Sequence, residues 1–206
     1  MKDEKYDYEW STSKENFEKH YAKGGDSGGG SRGQLAVFKA QVLNAFVKIN
    51  DIQSVIDFGC GDGYQLSLAE YPQYLGFDVA PGAIDLCCEW FKDDETKDFK
   101  LVEYYAGEQA ELVISLDVLL HLYEYEVWEE YLHRLFAASI KYVAIYAADM
   151  DLELQGCQRY RKFTPWIEEY CPGWKLVAHI PNKYPDTVPP THDNLSNAEF
   201  FIYKKE

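Results

Sequence analysis

Ser54-Val55-Ile56-Asp57-Phe58-Gly59-Cys60-Gly61-Asp62-Gly63 joins a short apolar run to three glycines at alternate positions. A run of this length that stops at glycine reads as a buried strand entering a turn. Glycine lets the backbone turn sharply and lets a ligand approach with no Cβ in the way. A helix after such a turn presents free N–H groups, and residues 64–69 are expected to form one. The dinucleotide fingerprint GxGxxG puts its third glycine one residue later than Gly63. That spacing argues against a nicotinamide dinucleotide.

Downstream, strands and helices alternate. Residues 73–77 read as a second strand ending at Asp78, Pro81 suits the first turn of a helix, and residues 83–91 continue it. Residues 99–104 are a weak third strand and 111–116 (ELVISL) a fourth. Residues 125–139 form a helix with Trp128, Tyr131, Leu132, Leu135 and Phe136 on its apolar side, and 142–147 a fifth strand. Upstream, residues 13–21 suit a short helix with a Ser/Thr cap. The glycine-rich stretch GGDSGGGSRG covers residues 24–33. Leu35, Phe38, Val42, Ala45, Phe46 and Ile49 then fall at helical spacing over residues 34–49.

The tail offers a helix over 163–170 and strands over 174–180 and 199–203. The proline-rich loop 181–196 between those strands is too short for a crossover helix, so they are expected to pair antiparallel at the sheet edge. The alternation predicts an α/β fold, a mostly parallel sheet with helices on both faces. One domain over 1–206 is expected, with 1–33 as an N-terminal helix and glycine-rich lid and 34–206 as the ligand-binding core.

The chain has 206 residues, 20 basic and 35 acidic, for a net charge of −15. A nucleic-acid surface needs a basic stripe, and the only basic cluster is Arg159, Arg161 and Lys162, so no nucleic-acid partner is expected. No apolar run approaches the ~20 residues of a membrane span. The opening MKDEKYDYEW is charged and aromatic, unlike a secretory leader, so a cytoplasmic location without membrane insertion is expected. Cys60, Cys87, Cys88, Cys157 and Cys171 are scattered and odd in number, which suits reduced thiols.

Asp78, closing the second strand, is placed either to accept hydrogen bonds from two ribose hydroxyls or to cap the helix near Pro81. His121 follows the fourth strand at the edge where open α/β sheets bind ligands, as a base or as a structural histidine. Arg161 offers a bidentate fork for phosphate or carboxylate, or a surface ion pair. His192 belongs to a second lid or to a solvated loop. Asp149 and Asp151 lack a third ligand, so no metal site is expected. His179 reads as a packed strand residue, and His20 and His133 sit on helices without an evident partner.

DFGCGDG resembles motif I of class I S-adenosylmethionine (SAM)-dependent methyltransferases. GFDVAPGAI resembles their ribose-binding second strand, and ELVISLDVLLHL their fourth motif. The resemblance implies a Rossmann-like, seven-stranded sheet with an antiparallel strand 7, SAM as cofactor and S-adenosyl-L-homocysteine (SAH) as product. It implies that Asp57, Gly59, Cys60, Gly61, Gly63, Gln65, Asp78, Val79, Leu116, Asp117 and Val118 face the cofactor, with Asp57 orienting the methionine amino group. The sequence departs from the family pattern after strand three, where the adenine-contacting acid is not evident and Glu103 or Tyr104 is the stand-in. GGDSGGGSRG, SLDVLLHL and RYRKFTPWIEEYCPGW are similar to small bacterial methyltransferases of surface-polysaccharide and small-molecule pathways. The resemblance thus implies methyl transfer to a small polar acceptor, on oxygen of a sugar, phosphate or related metabolite. Tyr21, Arg161 and His192 are the candidate substrate contacts and His121 the candidate base. A protein methyltransferase and a non-catalytic SAM-binding subunit of a partner enzyme are the alternatives, and an oligomer fits either.

Overall fold

The computed structural model describes residues 12–154, 158–192 and 194–206. Cys157 and Asp193 lie outside the described residues. The decisive strand β1 spans Ser54–Phe58, and β2 (Gln73–Asp78) runs parallel beside it. After β2 come α3 (Pro81–Trp90), β3 (Lys97–Leu101), β4 (Ala110–Leu116), α4 (Tyr125–Ala137) and β5 (Ser139–Ala147). A two-residue ribbon follows, β6 (Leu152–Glu153) against β7 (Arg159–Tyr160). The chain closes with α5 (Thr164–Tyr170), β8 (Trp174–Ile180) and β9 (Glu199–Lys205). Before β1 lie α1 (Ser13–Ala22) and α2 (Gly33–Ile49).

The main sheet has seven strands in the order β3-β2-β1-β4-β5-β9-β8. β9 is antiparallel to both its neighbours and lies between β5 and β8. The ends of β1, β2, β4, β5 and β8 and the start of β9 therefore share one edge, and the candidate site residues gather there.

Period-two alternation divides the core. Ile56 and Phe58 of β1, Val113 of β4 and Val143 and Ile145 of β5 pack with Trp128, Leu132 and Phe136 of α4 and Trp166 and Ile167 of α5. Val55, Leu112, Ile114 and Ala144 face the other way, onto Phe38, Leu43 and Val47 of α2 and Cys87 of α3. Both faces are covered, which is why the central strands read as continuous apolar runs.

Two expected elements differ. Residues 64–69 form only a one-turn 3-10 helix at Leu66–Leu68. α2 already covers that flank of the sheet, and its Asn44 binds the Leu68 carbonyl and the Glu70 N–H, both at 3.0 Å. The chain is held for direct return into β2, so no helix N-terminus follows the glycine turn. The third strand sits at Lys97–Leu101, and Val102–Tyr104 is a 3-10 turn. The register is set by pairing Tyr74 with Lys97.

At the shared edge Tyr131 of α4 donates its hydroxyl to the Phe58 carbonyl (2.7 Å) and lies 2.7 Å from the Ser115 hydroxyl. Tyr131→Phe leaves both buried groups without that partner. Its expected cost is about 1–3 kcal/mol, read as a lowered urea midpoint at unchanged slope. An unchanged midpoint would show that water takes over both bonds.

Candidate functional site

The turn after β1 is held by β2, because the Gly59 and Cys60 N–H groups both donate to the Phe77 carbonyl (2.7 and 3.0 Å). Gly59 and Gly61 have φ of +94° and +58°, in the region glycine favours. A Cβ on Gly59 would lie 2.4 Å from Val118, and one on Gly61 would lie 2.2 Å from the Ser27 hydroxyl. The glycines thus admit two close approaches, one from the loop after β4 and one from the segment before α2.

Asp78 is buried at the end of β2. Its carboxylate accepts the Gly61 N–H (3.0 Å) and the Ala80 N–H (2.9 Å). It therefore links the turn to Ala80, the residue before α3, without capping a first-turn N–H of that helix, and retains lone pairs for a further donor. Burial pushes its pKa up against the backbone donors that pull it down. Asp57 is buried on β1; one carboxylate oxygen accepts the Tyr74 hydroxyl at 2.9 Å and the other has no partner. Burial lifts this carboxyl to about 7, with the Tyr74 hydrogen bond opposing.

Cys60 is buried against Gly76, and Cys87 beside it together with burial hold its thiol well above the ordinary range. Gly63 lies against Phe91 and Cys87. Gln65 donates to the Ala36 carbonyl of α2 (3.0 Å). Val79 is half-buried between Asp78 and α3. Leu116, Asp117 and Val118 leave the end of β4, where Asp117 turns with φ of +58°. Glu103 pairs with Lys14 at 3.1 Å, and Tyr104 is exposed.

The strap of residues 12–33 closes over this edge. Thr12 and Glu15 form a capping box at the start of α1, and the Ser13 N–H donates to Glu124 (2.9 Å). Phe17 meets His121 edge-on with ring centroids 5.0 Å apart. Tyr21 packs on Gly82 and hydrogen-bonds Ser27 (2.9 Å). Ser27 and Asp62 exchange two backbone-to-side-chain bonds of 3.0 Å, and Arg32 pairs with Asp62. Burial alone would raise the Asp62 carboxyl, but Arg32 and the backbone donors of Ser27 and Tyr64 hold it below the usual range.

His121 lies under Phe17, and burial pulls its pKa down to about 4. It is neutral at pH 7. Arg161 directs its fork at the Leu122 and Tyr123 carbonyls and stacks over Trp128. This guanidinium fastens the loop after β4 instead of facing an open anion site. His192 sits in the loop before β9, where Asp186 accepts the N–H groups of Thr187, Thr191 and His192. Asp149 accepts the Phe163 and Thr164 N–H groups at the start of α5, and Asp151 accepts the Lys162 N–H. Among the described residues no group of acids, histidines and cysteines is arranged to hold a metal ion. No helix among them is long and apolar enough to cross a membrane. His179 stacks on Phe201 and pairs with Glu199, and His20 contacts the Asp26 carbonyl. His133 packs on Trp166.

Lys39 is a residue that sequence reasoning missed. It is fully buried on α2, and its ammonium lies 2.7 Å from Asp117. The available signal was its place four residues from both Leu35 and Leu43, on the apolar face. Ser27, Arg32 and Asp62 were also missed, because only the fold brings them together.

No family model and no curated protein matches the chain. Solved structures do. The N-methyltransferase NodS from Bradyrhizobium japonicum WM9, in complex with SAH, is 13% identical over 95% of this chain and 99% of its own, with a TM-score of 0.69. The magnesium protoporphyrin IX methyltransferase ChlM from Synechocystis PCC 6803 with bound SAM is 14% identical over 96% and 99%, with a TM-score of 0.67. The methyltransferase domain of a bacterial Hen1 is 16% identical over 82% and 97%, with a TM-score of 0.62. The chain has the Rossmann-like fold of these class I methyltransferases. At such identities the likeness is one of fold, and function rests on the site.

Proposed function

We propose that this chain is a SAM-dependent methyltransferase whose acceptor is a small polar metabolite, methylated on an oxygen of the sugar type found in surface-polysaccharide pathways. The observation that carries the reading is the buried Asp78 carboxylate beside the positive-φ glycines of the β1 turn. The chemistry of the residues fits the cofactor. The Ser27 hydroxyl already stands against Gly61, where a ribose hydroxyl is the equivalent group, and Asp78 has acceptor capacity for it. Asp57 holds a buried oxygen without a partner, suited to an ammonium. Gly59, Gly61 and Gly63 give backbone access, and Leu116, Asp117 and Val118 line the opposite wall. Bound there, SAM supplies a methyl group already activated on a sulfonium, so the protein's tasks are positioning and proton removal.

Calorimetric titration with SAH tests the reading: saturable binding supports it, and absence of binding by folded protein overturns it. Residues 12–33 act in this reading as a lid, latched by Asp62. Asp62→Asn is expected to speed SAH dissociation about tenfold in stopped-flow fluorescence, since one partner of a charge-assisted contact is lost. An unchanged rate would show that the strap is a fixed wall.

A further inference from the structure

We propose that Asp117, held by the buried Lys39, takes the proton of the acceptor hydroxyl, and that the reacting part of the acceptor is neutral or cationic, neither phosphate nor carboxylate. This rests on the methyltransferase reading above.

Lys39 has no exposed side-chain surface, whereas the Asp117 side chain is 19% exposed. The carboxylate is therefore the half of the pair a second molecule can reach. One of its oxygens, Oδ2, meets the Lys39 ammonium at 2.7 Å. The other, Oδ1, has no hydrogen-bond partner among the described residues. A buried lysine charge is costly unless paired, and Asp117 adopts a left-handed backbone that a non-glycine residue rarely takes. Two unfavourable features thus coincide at the end of β4, beside the cofactor turn. The strap closes on the same carboxylate, since a Cβ on Gly30 would lie 3.1 Å from Oδ2. His121 lies close by and itself feels His20 of α1, and Tyr146 of β5 and Tyr160 of β7 feel the Asp117 charge.

Four cations of this edge are already engaged. Arg32 serves Asp62 and Asp26, Lys39 serves Asp117, Arg159 serves Glu153, and Arg161 holds two carbonyls. A phosphate or carboxylate would meet Asp117 with no compensating fork, whereas an O–H donates to Oδ1. In the transfer the acceptor oxygen's lone pair forms the new O–CH3 bond as the S–CH3 bond breaks. The S–CH3 electrons stay on sulfur, giving neutral SAH, and the hydroxyl proton passes to Asp117 and then to water. Lys39 is the positioning residue, fixing the carboxylate without touching the acceptor.

The test uses the full chain with tritiated SAM and four monosaccharide classes: neutral hexosides, amino sugars, uronates and sugar phosphates. Asp117→Asn alone leaves Lys39 buried and unpaired, so the double variant Lys39→Met, Asp117→Asn is made beside it. Asparagine tolerates the left-handed backbone. Transfer to neutral or amino sugars is expected. The double variant, assayed at saturating SAM, should lose roughly a hundredfold or more in kcat, the range of general-base catalysis. Lys39→Met alone should lower kcat about tenfold and leave KM for the sugar nearly unchanged, a split that a purely structural role would not produce. Three results overturn the proposal: transfer confined to uronates or phosphates, no transfer to any neutral or amino sugar by SAH-binding protein, or a double variant that keeps most of its kcat. Failure of wild-type protein to bind SAH instead removes the methyltransferase reading on which the proposal stands.

Discussion

Asp78→Ala is expected to weaken SAH binding at least about a hundredfold, because two hydrogen bonds to a charged group contribute roughly 1.5–3 kcal/mol each. The substitution also leaves the Gly61 and Ala80 N–H groups unpaired in a buried place. It therefore lowers stability by about 1–3 kcal/mol per group, and a binding loss alone is ambiguous. Asp78→Asn separates the two effects. Its amide oxygen keeps one acceptor for the backbone, and its NH2 presents donors where the ribose hydroxyls need acceptors. Expected for the asparagine variant are a smaller loss of melting temperature than for alanine, since one of the two backbone N–H groups keeps its acceptor, and an SAH affinity about tenfold to a hundredfold lower. Calorimetry and thermal melting of the three proteins give both numbers. A folded Asp78→Asn protein that binds SAH as tightly as wild type would remove the ribose role and leave Asp78 as a structural link between the turn and α3.

The edge that carries these residues was largely legible in the sequence because β1, β2, β4 and β5 are buried on both faces. Two-sided burial writes itself as apolar runs that stop at Gly59, Asp78, Asp117 and Ala148, the very positions where the chain leaves the sheet. The antiparallel β9 was legible too, since loop 181–196 has no length for a crossover. Residues 64–69 were not, because helical propensity there is local while the covering role was already taken by α2 through Asn44. The roles of Arg161 and Asp149 were hidden for another reason. An arginine after a strand looks the same whether its fork meets a ligand or the Leu122 and Tyr123 carbonyls, and only three-dimensional placement decides. Lys39 shows the converse. Its position on the apolar face of α2 was visible, but a lone lysine among apolar residues ordinarily snorkels to water. Its burial depends on Asp117, which lies 78 residues away in the chain.

The Asp57 contribution to the stability of the unliganded protein should fall as pH rises from about 4 to about 7, the interval between its ordinary carboxyl and its value in the fold, while His121, held at about 4, works in the opposite sense over most of that interval, equally in wild type and in an Asp57 variant. The sign follows from proton counts. Burial raises the folded pKa, so in that interval the folded state holds a proton that the unfolded state has released. Raising the pH then favours the unfolded side, and the loss is complete once the folded carboxyl has ionised. The full shift corresponds to about 4 kcal/mol as a ceiling, at 1.36 kcal/mol per unit. About 2 kcal/mol is the expected effect once local relaxation lets water reach the partnerless oxygen. Asp57→Asn keeps an acceptor for the Tyr74 hydroxyl and carries no charge. At pH 8 it should melt higher than wild type by about 4–8 °C, and near pH 4 the two should coincide. A cationic amino group beside the partnerless oxygen favours the ionised form. SAH binding at pH 6 should therefore release a proton from wild type and none from the variant. Calorimetry in two buffers of different ionisation enthalpy reads that difference directly. The asparagine should also weaken SAH by about tenfold, the value of one charge-assisted hydrogen bond. A protein more stable without Asp57 yet poorer at binding is the pattern expected of a group kept for its ligand. A variant less stable at pH 8 would instead place Asp57 among the ordinary structural carboxylates.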